Sequence, residues 1–457
     1  MAFFASKAVK YPFQNNLPLR GNQMRNEIVA PGAGELTYEI RNIVTVAEKV
    51  QRLGVKINWE NIGDPIVKGE SIPLWMKEIV AAEAMNDDSY AYCPTRGVLE
   101  TREFVCDITN KRGGVQITPD DIIFFNGLGD AIAKVYGNLR AESRVLMPSP
   151  TYTTHSIGEA SHANAIPVCY RLKPEDNWFP DMEDLENHVK YNPQISGIMI
   201  INPDNPTGMV YPPEILRKIV AIAKSYDLFI IADEVYGNIV YNGESTVPIS
   251  DVIGDVPAIA MKGISKELPW PGSRCGWIEV YNGNRDPRFQ KFINSILSSK
   301  MNEVCSTTLP QRCMPAIMRH PGYEIYLKER ISRYERMSNI TYEALSEVPG
   351  LAVNRTNGAF YMAVPFREGV LNRTQTLPIA NAEIRELVEG IVNAPGVAPD
   401  KRLVYYILAH TGICMVPLSS FNTELLGFRV TLLERDESEC RRIYGILTEN
   451  IAAYLAS

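Results

Sequence analysis

The chain has 457 residues, with 46 Lys and Arg against 53 Asp and Glu and a formal net charge of −7, a balance that argues against a general binder of nucleic-acid backbones. Hydrophobic residues make up 45% and charged residues 22%, an ordinary globular mix with core-forming capacity for two or three domains and no need of covalent staples. The eight Cys stand singly without CxxC spacing, so a structural metal and a disulfide framework are both poor readings and the chain reads as reduced and cytoplasmic. No apolar run approaches the roughly 18 residues of a membrane span, and residues 1–13 lack a signal-like apolar core, so no membrane partner is expected.

The first sixty residues are polar and irregular except for Tyr38 to Gly54. There Ile40, Ile43, Val44, Ala47 and Val50 recur at helical spacing. From about Asp121 short β-rich runs follow at 122–125, 144–147, 165–170, 197–201, 228–232, 258–261 and 276–280, several of them trailed by helical stretches. Unalternating apolar strands separated by helices indicate an α/β fold with a mostly parallel sheet covered on both faces. Between two of these strands the spacing predicts a helix from Pro212 to Lys224, with Ile215, Ile219, Ile222 and Ala223 as its buried stripe. A long charged helix is predicted from Tyr323 to Ser346, followed by a smaller α+β region. Residues 367–402, with Pro and Gly breaks around a helix from Asn381 to Val392, read as an insertion. The expected division is a large domain over 65–315 and a small domain from 1–64 and 316–457.

Ligands of open α/β sheets bind beyond the carboxyl ends of the strands, so the residues after each apolar run carry the chemical interest. After 198–201 comes Asn202-Pro203-Asp204-Asn205-Pro206-Thr207-Gly208, which turn chemistry alone also explains. After 228–232 comes Asp233-Glu234-Val235-Tyr236. Asp233 is either a helix cap or a carboxylate in a dry cleft, and the second role needs a cationic partner. After 259–261 the chain runs from Lys262 through Ser265-Lys266 to Arg274. A lone Lys is usually solvated, but one behind a buried strand and before a Pro-rich aromatic loop can be desolvated into a nucleophile. After 122–125 comes Asn126-Gly127-Leu128-Gly129, too few glycines for a dinucleotide fingerprint but a helix opening suited to a phosphate. Together these ends supply an amine, an acid, amide and hydroxyl donors and a phosphate nest.

With these residues in place, the sequence resembles the class I and II aminotransferases, pyridoxal-phosphate enzymes of fold type I. The resemblance runs in order from Tyr38-Glu39-Ile40-Arg41 and Asn61-Ile62-Gly63-Asp64-Pro65 through Tyr92-Cys93-Pro94-Thr95-Arg96-Gly97 to Phe428-Arg429-Val430-Thr431. It implies a seven-stranded, mostly parallel sheet in the large domain and a Schiff base between Lys266 and pyridoxal 5′-phosphate. It also implies that Arg274 and the amides of Leu128 and Gly129 hold the cofactor phosphate beside Ser265, and that Asp233 holds the pyridine nitrogen protonated. Tyr236 and Asn205 match donors to the ring's phenolic oxygen, and Tyr152 matches the aromatic stacked on the ring. His155 falls where some members place a His against the acid, or it is a surface imidazole. Arg429 resembles the arginine that forks onto the substrate carboxylate, with Gly63 beside it. Tyr92 matches a residue delivered from the other subunit, hence a homodimer.

The implied activity is a ping-pong transfer from an L-amino acid to a 2-oxo acid, 2-oxoglutarate by resemblance, with Lys266, Asp233 and Tyr236 as the catalytic set and no metal. The opening motifs stand nearest the alanine-type branch. A carbon–sulfur lyase is the alternative within the enzymes, and a non-enzymatic sensor domain is a remote one. Trp270, Tyr361 and Tyr11 are candidates for the wall facing the substrate side chain. Two departures stand out: Gly263 where many members carry Ser, and Leu418 where Gly is usual.

Overall fold

The computed structural model describes residues 39–457, so Tyr11 and Tyr38 lie outside the described residues. The large sheet comprises β1 (Ile122–Asn126), β2 (Arg144–Ser149), β3 (Cys169–Lys173), β4 (Phe179–Pro180), β5 (Ile195–Ile201), β6 (Phe229–Asp233), β7 (Ala258–Gly263) and β8 (Cys275–Tyr281). Their spatial order is β1-β8-β7-β6-β5-β2-β3-β4. The pairs β2/β3, β2/β5, β5/β6 and β6/β7 are parallel, whereas β8 runs antiparallel to both its neighbours and β4 antiparallel to β3. Seven strands match the expectation, and the two-residue β4 adds an eighth at one edge.

Successive residues of these strands are buried on opposite faces. Ile122, Phe124, Ile198, Ile200, Ile230, Ala258 and Ala260 enter one core, and Ile123, Phe125, Met199, Ile201, Ile231, Ile259 and Met261 enter another. Helices covering both faces are therefore the reason the strands read as continuous apolar runs. Each large apolar side chain so buried contributes about 1.5–3 kcal/mol.

The helices used below are α1 (Glu39–Arg52), α2 (Leu128–Gly137), α3 (Thr153–Ala163), α4 (Pro213–Ser225), α5 (Ile264–Glu267), α6 (Gly322–Ser346), α7 (Ala382–Val392), α8 (Pro399–Thr411) and α9 (Glu437–Leu455). α1 buries Ile43, Ala47 and Val50 as its spacing predicts, and Val46 joins them while Val44 is half-buried. In α4 the stripe is rotated by about one residue from the predicted one. Leu216, Ile219, Val220 and Ala223 are buried, and Ile215 and Ile222 stand at its margin. The run read as a strand from Ala165 pairs only from Cys169, because Pro167 cannot donate to a ladder.

A three-stranded antiparallel sheet of β9 (Tyr361–Pro365), β11 (Gly427–Thr431) and β10 (Val416–Pro417), with β11 central, packs with α1, α6, α8 and α9 in a further core. The stretch read as an insertion is part of that core: Leu377, Ile379, Ile384, Val388 and Val392 are all buried in it. At its end the buried Asp400 carboxylate accepts from Ser419 N and Oγ, both at 2.8 Å, and from Gly427 N at 3.3 Å. That carboxylate fixes the turn Leu418–Phe421, which carries the departure at Leu418.

Candidate active site

Strand β6 ends at Asp233, which is 4% exposed. Its Oδ1 accepts from Val235 N at 3.1 Å, and its Oδ2 lies 3.0 Å from His155 Nε2. A hydrogen on Nε2 would be donated to this carboxylate. His155 is fully buried on the first turn of α3, so the surface reading of this residue does not hold. Tyr152, the residue preceding α3, meets the His155 ring edge-on at 6.2 Å.

The loop after β5 is built from its own side chains. Asn202 Oδ1 accepts from Tyr211 N at 2.8 Å, and Asp204 Oδ2 accepts from Thr207 N at 3.1 Å and Thr207 Oγ1 at 2.5 Å. Burial pushes the Asp204 carboxyl up to about 7. These bonds account for the dense Asn/Pro/Asp turn and present Asn205 inward, where its Oδ1 accepts from Arg429 Nη1 at 3.4 Å.

Lys266 sits on α5, directly after β7. Its Nζ donates to Gly63 O at 2.8 Å and lies 5.7 Å from the centre of the Phe360 ring. Tyr361, beside Phe360, closes the same space. Its Oη would lie 2.0 Å from a Cβ on Gly63, so only glycine fits there, and it receives a hydrogen bond from Tyr236 Oη at 3.2 Å. Burial, and after it the neighbouring Tyr361, raise the Tyr236 hydroxyl well above the ordinary tyrosine range, so it stays protonated as a donor.

Arg429, in the middle of β11 and 3% exposed, donates through Nη2 to Asn61 O at 2.6 Å. Its guanidinium packs over the rings of Tyr361 at 4.4 Å and Phe421 at 5.1 Å. The Phe421 carbonyl in turn accepts from Thr151 N at 2.8 Å, and Asn422 O from Ser149 Oγ at 2.7 Å. The turn below Arg429 is thereby joined to the loop that carries Tyr152.

At the other end of the site Arg274 donates to Asn126 O at 3.3 Å. It packs so closely on Gly127 that a Cβ there would lie 2.3 Å from Nη2, and Gly127 has φ +83°. The glycine leaves a bare turn in which the guanidinium and the first amides of α2, Leu128 and Gly129, converge. Gly263 lies across from Gly276, and an added Cβ would come within 3.2 Å of Cys275 O, which gives a packing reason for glycine at this position.

Not every candidate joins the cluster. Tyr92 is 81% exposed, Trp270 is half-buried with its carbonyl bonded to Ser273 Oγ at 2.6 Å, and Ser265 is half-buried on α5. Sequence reading missed the Asn61 carbonyl and the Phe421 ring. Asn61 stood inside a quoted motif, but nothing in the residue names shows which backbone oxygen turns inward.

Comparison with known proteins adds to this geometry. The chain matches the family described as aminotransferase class I and II over residues 57–446. It is 55% identical over 432 residues to an uncharacterized aminotransferase of Methanocaldococcus jannaschii, covering 94% of this chain and 100% of that one. It is 29% identical over 331 residues to the glutamate-pyruvate aminotransferase AlaA of Escherichia coli, covering 71% of this chain and 79% of that one. The solved structure of an alanine aminotransferase from Pyrococcus furiosus superposes with a TM-score of 0.79 at 26% identity, covering 92% of this chain and 100% of the other.

Proposed function

Because the chain belongs to the class I and II aminotransferases, we propose that it moves the amino group of an L-amino acid to a 2-oxo acid, with 2-oxoglutarate as acceptor, in a ping-pong cycle. Family and fold imply pyridoxal 5′-phosphate, and the residues present fit it. Among the described residues the buried Asp233 carboxylate pairs only with His155, and a protonated pyridine nitrogen is the cationic partner such a carboxylate needs. The bare Gly127 turn, with Arg274 and the α2 amides around it, suits a phosphate.

The observation that carries the reading is the strip from Asn61 to Gly63. Its first carbonyl receives the Arg429 guanidinium and its last the Lys266 amine. Two residues of chain span at most about 7 Å. The group that would clamp an α-carboxylate and the amine that would reach Cα are therefore anchored on carbonyls two residues apart in one strip of chain.

Pyridoxal phosphate supplies an aldehyde that exchanges amines and a protonated ring that draws off the electron pair left at Cα. Lys266 would hold the cofactor through Nζ and, when free, would be the base that takes and gives back the proton at Cα. Asp233 keeps the proton on the ring nitrogen, and His155 fixes the Asp233 carboxylate. Tyr236 Oη and Asn205 Nδ2 would be the donors to the cofactor's phenolic oxygen, and Tyr152 and Ser265 would be further residues that hold the cofactor. Arg429 leaves the Asn61 carbonyl to fork onto the substrate carboxylate, a two-bond task that Lys cannot match.

The names of the relatives support alanine as the first donor to test. A cytoplasmic homodimer belongs to the same reading, with Tyr92 reaching the partner's site. The exposed apolar side chains Ile66, Val67, Leu74, Tyr90 and Tyr92 support that association. The division into a large domain over 65–315 and a small one from 1–64 and 316–457 belongs to the same reading, with Tyr236, Ile239 and Tyr241 of the first packed into the core of the second. Borohydride reduction of the cofactor-loaded chain followed by peptide mass measurement tests the reading: the peptide with Lys266 gains the mass of the reduced cofactor. A half-reaction screen of the twenty amino acids then identifies the donor. Release of pyruvate and ammonia without a 2-oxo acid would instead indicate the lyase.

A further inference from the structure

Helix α5 has four residues, Ile264 to Glu267. The last four carbonyls of any helix lack partners within it, so a helix this short supports none of its own. Trp270 N reaches back to Ile264 O at 3.4 Å. The carbonyls of Lys266 and Glu267 are taken by one side chain from far along the chain, Arg330 of α6. Its Nη2 donates to Lys266 O at 3.0 Å, and its Nη1 donates to Glu267 O.

Arg330 is 1% exposed and its orientation is fixed from every side. Nη2 also donates to Tyr334 Oη at 2.7 Å, the rings of Tyr326 and Tyr334 each lie 5.5 Å from the guanidinium, and Nε faces Glu70 Oε1 in an ion pair. Glu70 is held in turn by Tyr326 Oη at 2.9 Å and Arg333 Nη2 at 2.5 Å. Glu70 closes the turn that begins at Pro65, two residues after the carbonyl that receives the Lys266 amine. The reacting lysine is thus gripped twice by one neighbourhood, at Nζ by Gly63 O and at its own carbonyl through Glu70 and Arg330.

We propose that Arg330, clamped by Glu70, is a positioning residue that aims the Lys266 amine by capping the short helix on which it stands. The proposal rests on the reading of Lys266 as the reacting amine. A planar fork with several fixed donors can bind two adjacent carbonyls and a carboxylate together, whereas an ammonium keeps the charge but not that geometry.

Arg330→Lys, Arg330→Met and the wild-type chain, all loaded with pyridoxal phosphate, test this. Melting temperature reports folding, and borohydride labelling reports attachment at residue 266. The amino-acid half-reaction gives kcat and KM, and visible circular dichroism reports how the bound cofactor is held. Arg330→Lys is expected to fold, to label at Lys266, and to lose about 10-fold in kcat with KM nearly unchanged, since Arg429 is untouched. Arg330→Met is expected to lose about 100-fold, both with altered visible dichroism. Folded, labelled variants with wild-type kcat and dichroism overturn the proposal, and if Arg330→Met does not fold, Arg330→Lys alone decides. Missing label in the wild-type chain overturns the functional reading and this proposal with it. Normal label with unchanged turnover in the variants overturns this proposal only.

Discussion

The two halves of the site are held in different ways. On the proposed cofactor side, Asp233, Lys266 and the Gly127 turn each stand at the end of a strand of the large sheet or within a few residues of it, so the register of β1, β6 and β7 fixes their mutual placement. On the proposed substrate side Arg429 projects from the middle of β11 and is held by Asn61, 368 residues away, and by Asn205, 224 residues away. One half is a property of a single rigid layer. The other exists only once distant segments have come together, and it is the half in which a substrate has something to displace.

If that contrast is right, damage to the first half should destroy chemistry, and damage to the second should weaken recognition. The largest loss is expected for Lys266→Ala, with half-reaction rates lower by about 10^4-fold or more while phosphate-anchored cofactor binding partly survives, as absorbance titration would record. Asp233→Ala should lower the rate by about 10^3-fold with KM little changed, because it removes the buried carboxylate and with it the ion-pair partner of His155. Arg429→Lys should leave cofactor affinity intact and lower kcat/KM by about 10- to 100-fold, the worth of a lost charge-assisted fork. A fall in cofactor affinity instead would show that the halves are not separable.

Gly127→Ala combines a left-handed backbone with a clash against Arg274. It should weaken cofactor binding by about 10-fold, measured by equilibrium dialysis. The smallest effect is a pH slope. Asp204 keeps its proton in the folded chain up to about 7 but loses it near 3.8 when unfolded. The unfolded state therefore binds fewer protons across that window, and this residue lowers stability as pH rises from about 4 to about 7. Asp204→Asn should flatten the fall in melting temperature between those values, and an unaltered slope would remove Asp204 as its source.

The same contrast explains what could be read from the sequence. Asp233, Lys266 and Arg274 were legible because strand, turn and chemical residue are consecutive, and Arg429 was legible through its short motif. The burial of His155 was not, since a His three residues past an aromatic looks alike inside and outside a core. Tyr361 could be suspected as a wall but not placed, because its partners Gly63 and Tyr236 lie far away in the chain. Arg330 is one of many charged residues on α6, and only the folded chain turns it toward a helix too short to satisfy its own carbonyls.

Asp400 gives the extra length of this chain a stake in its chemistry. Its carboxylate fastens Ser419 and Gly427, the fastened turn presents Phe421 beneath Arg429, and the Phe421 carbonyl steadies Thr151, next to the aromatic ring at 152. Removing 367–402 would take away that anchor along with six buried apolar side chains, Leu371, Leu377, Ile379, Ile384, Val388 and Val392. A shortened enzyme should therefore fail at both ends of its cleft at once, not merely lose an ornament on its outer surface.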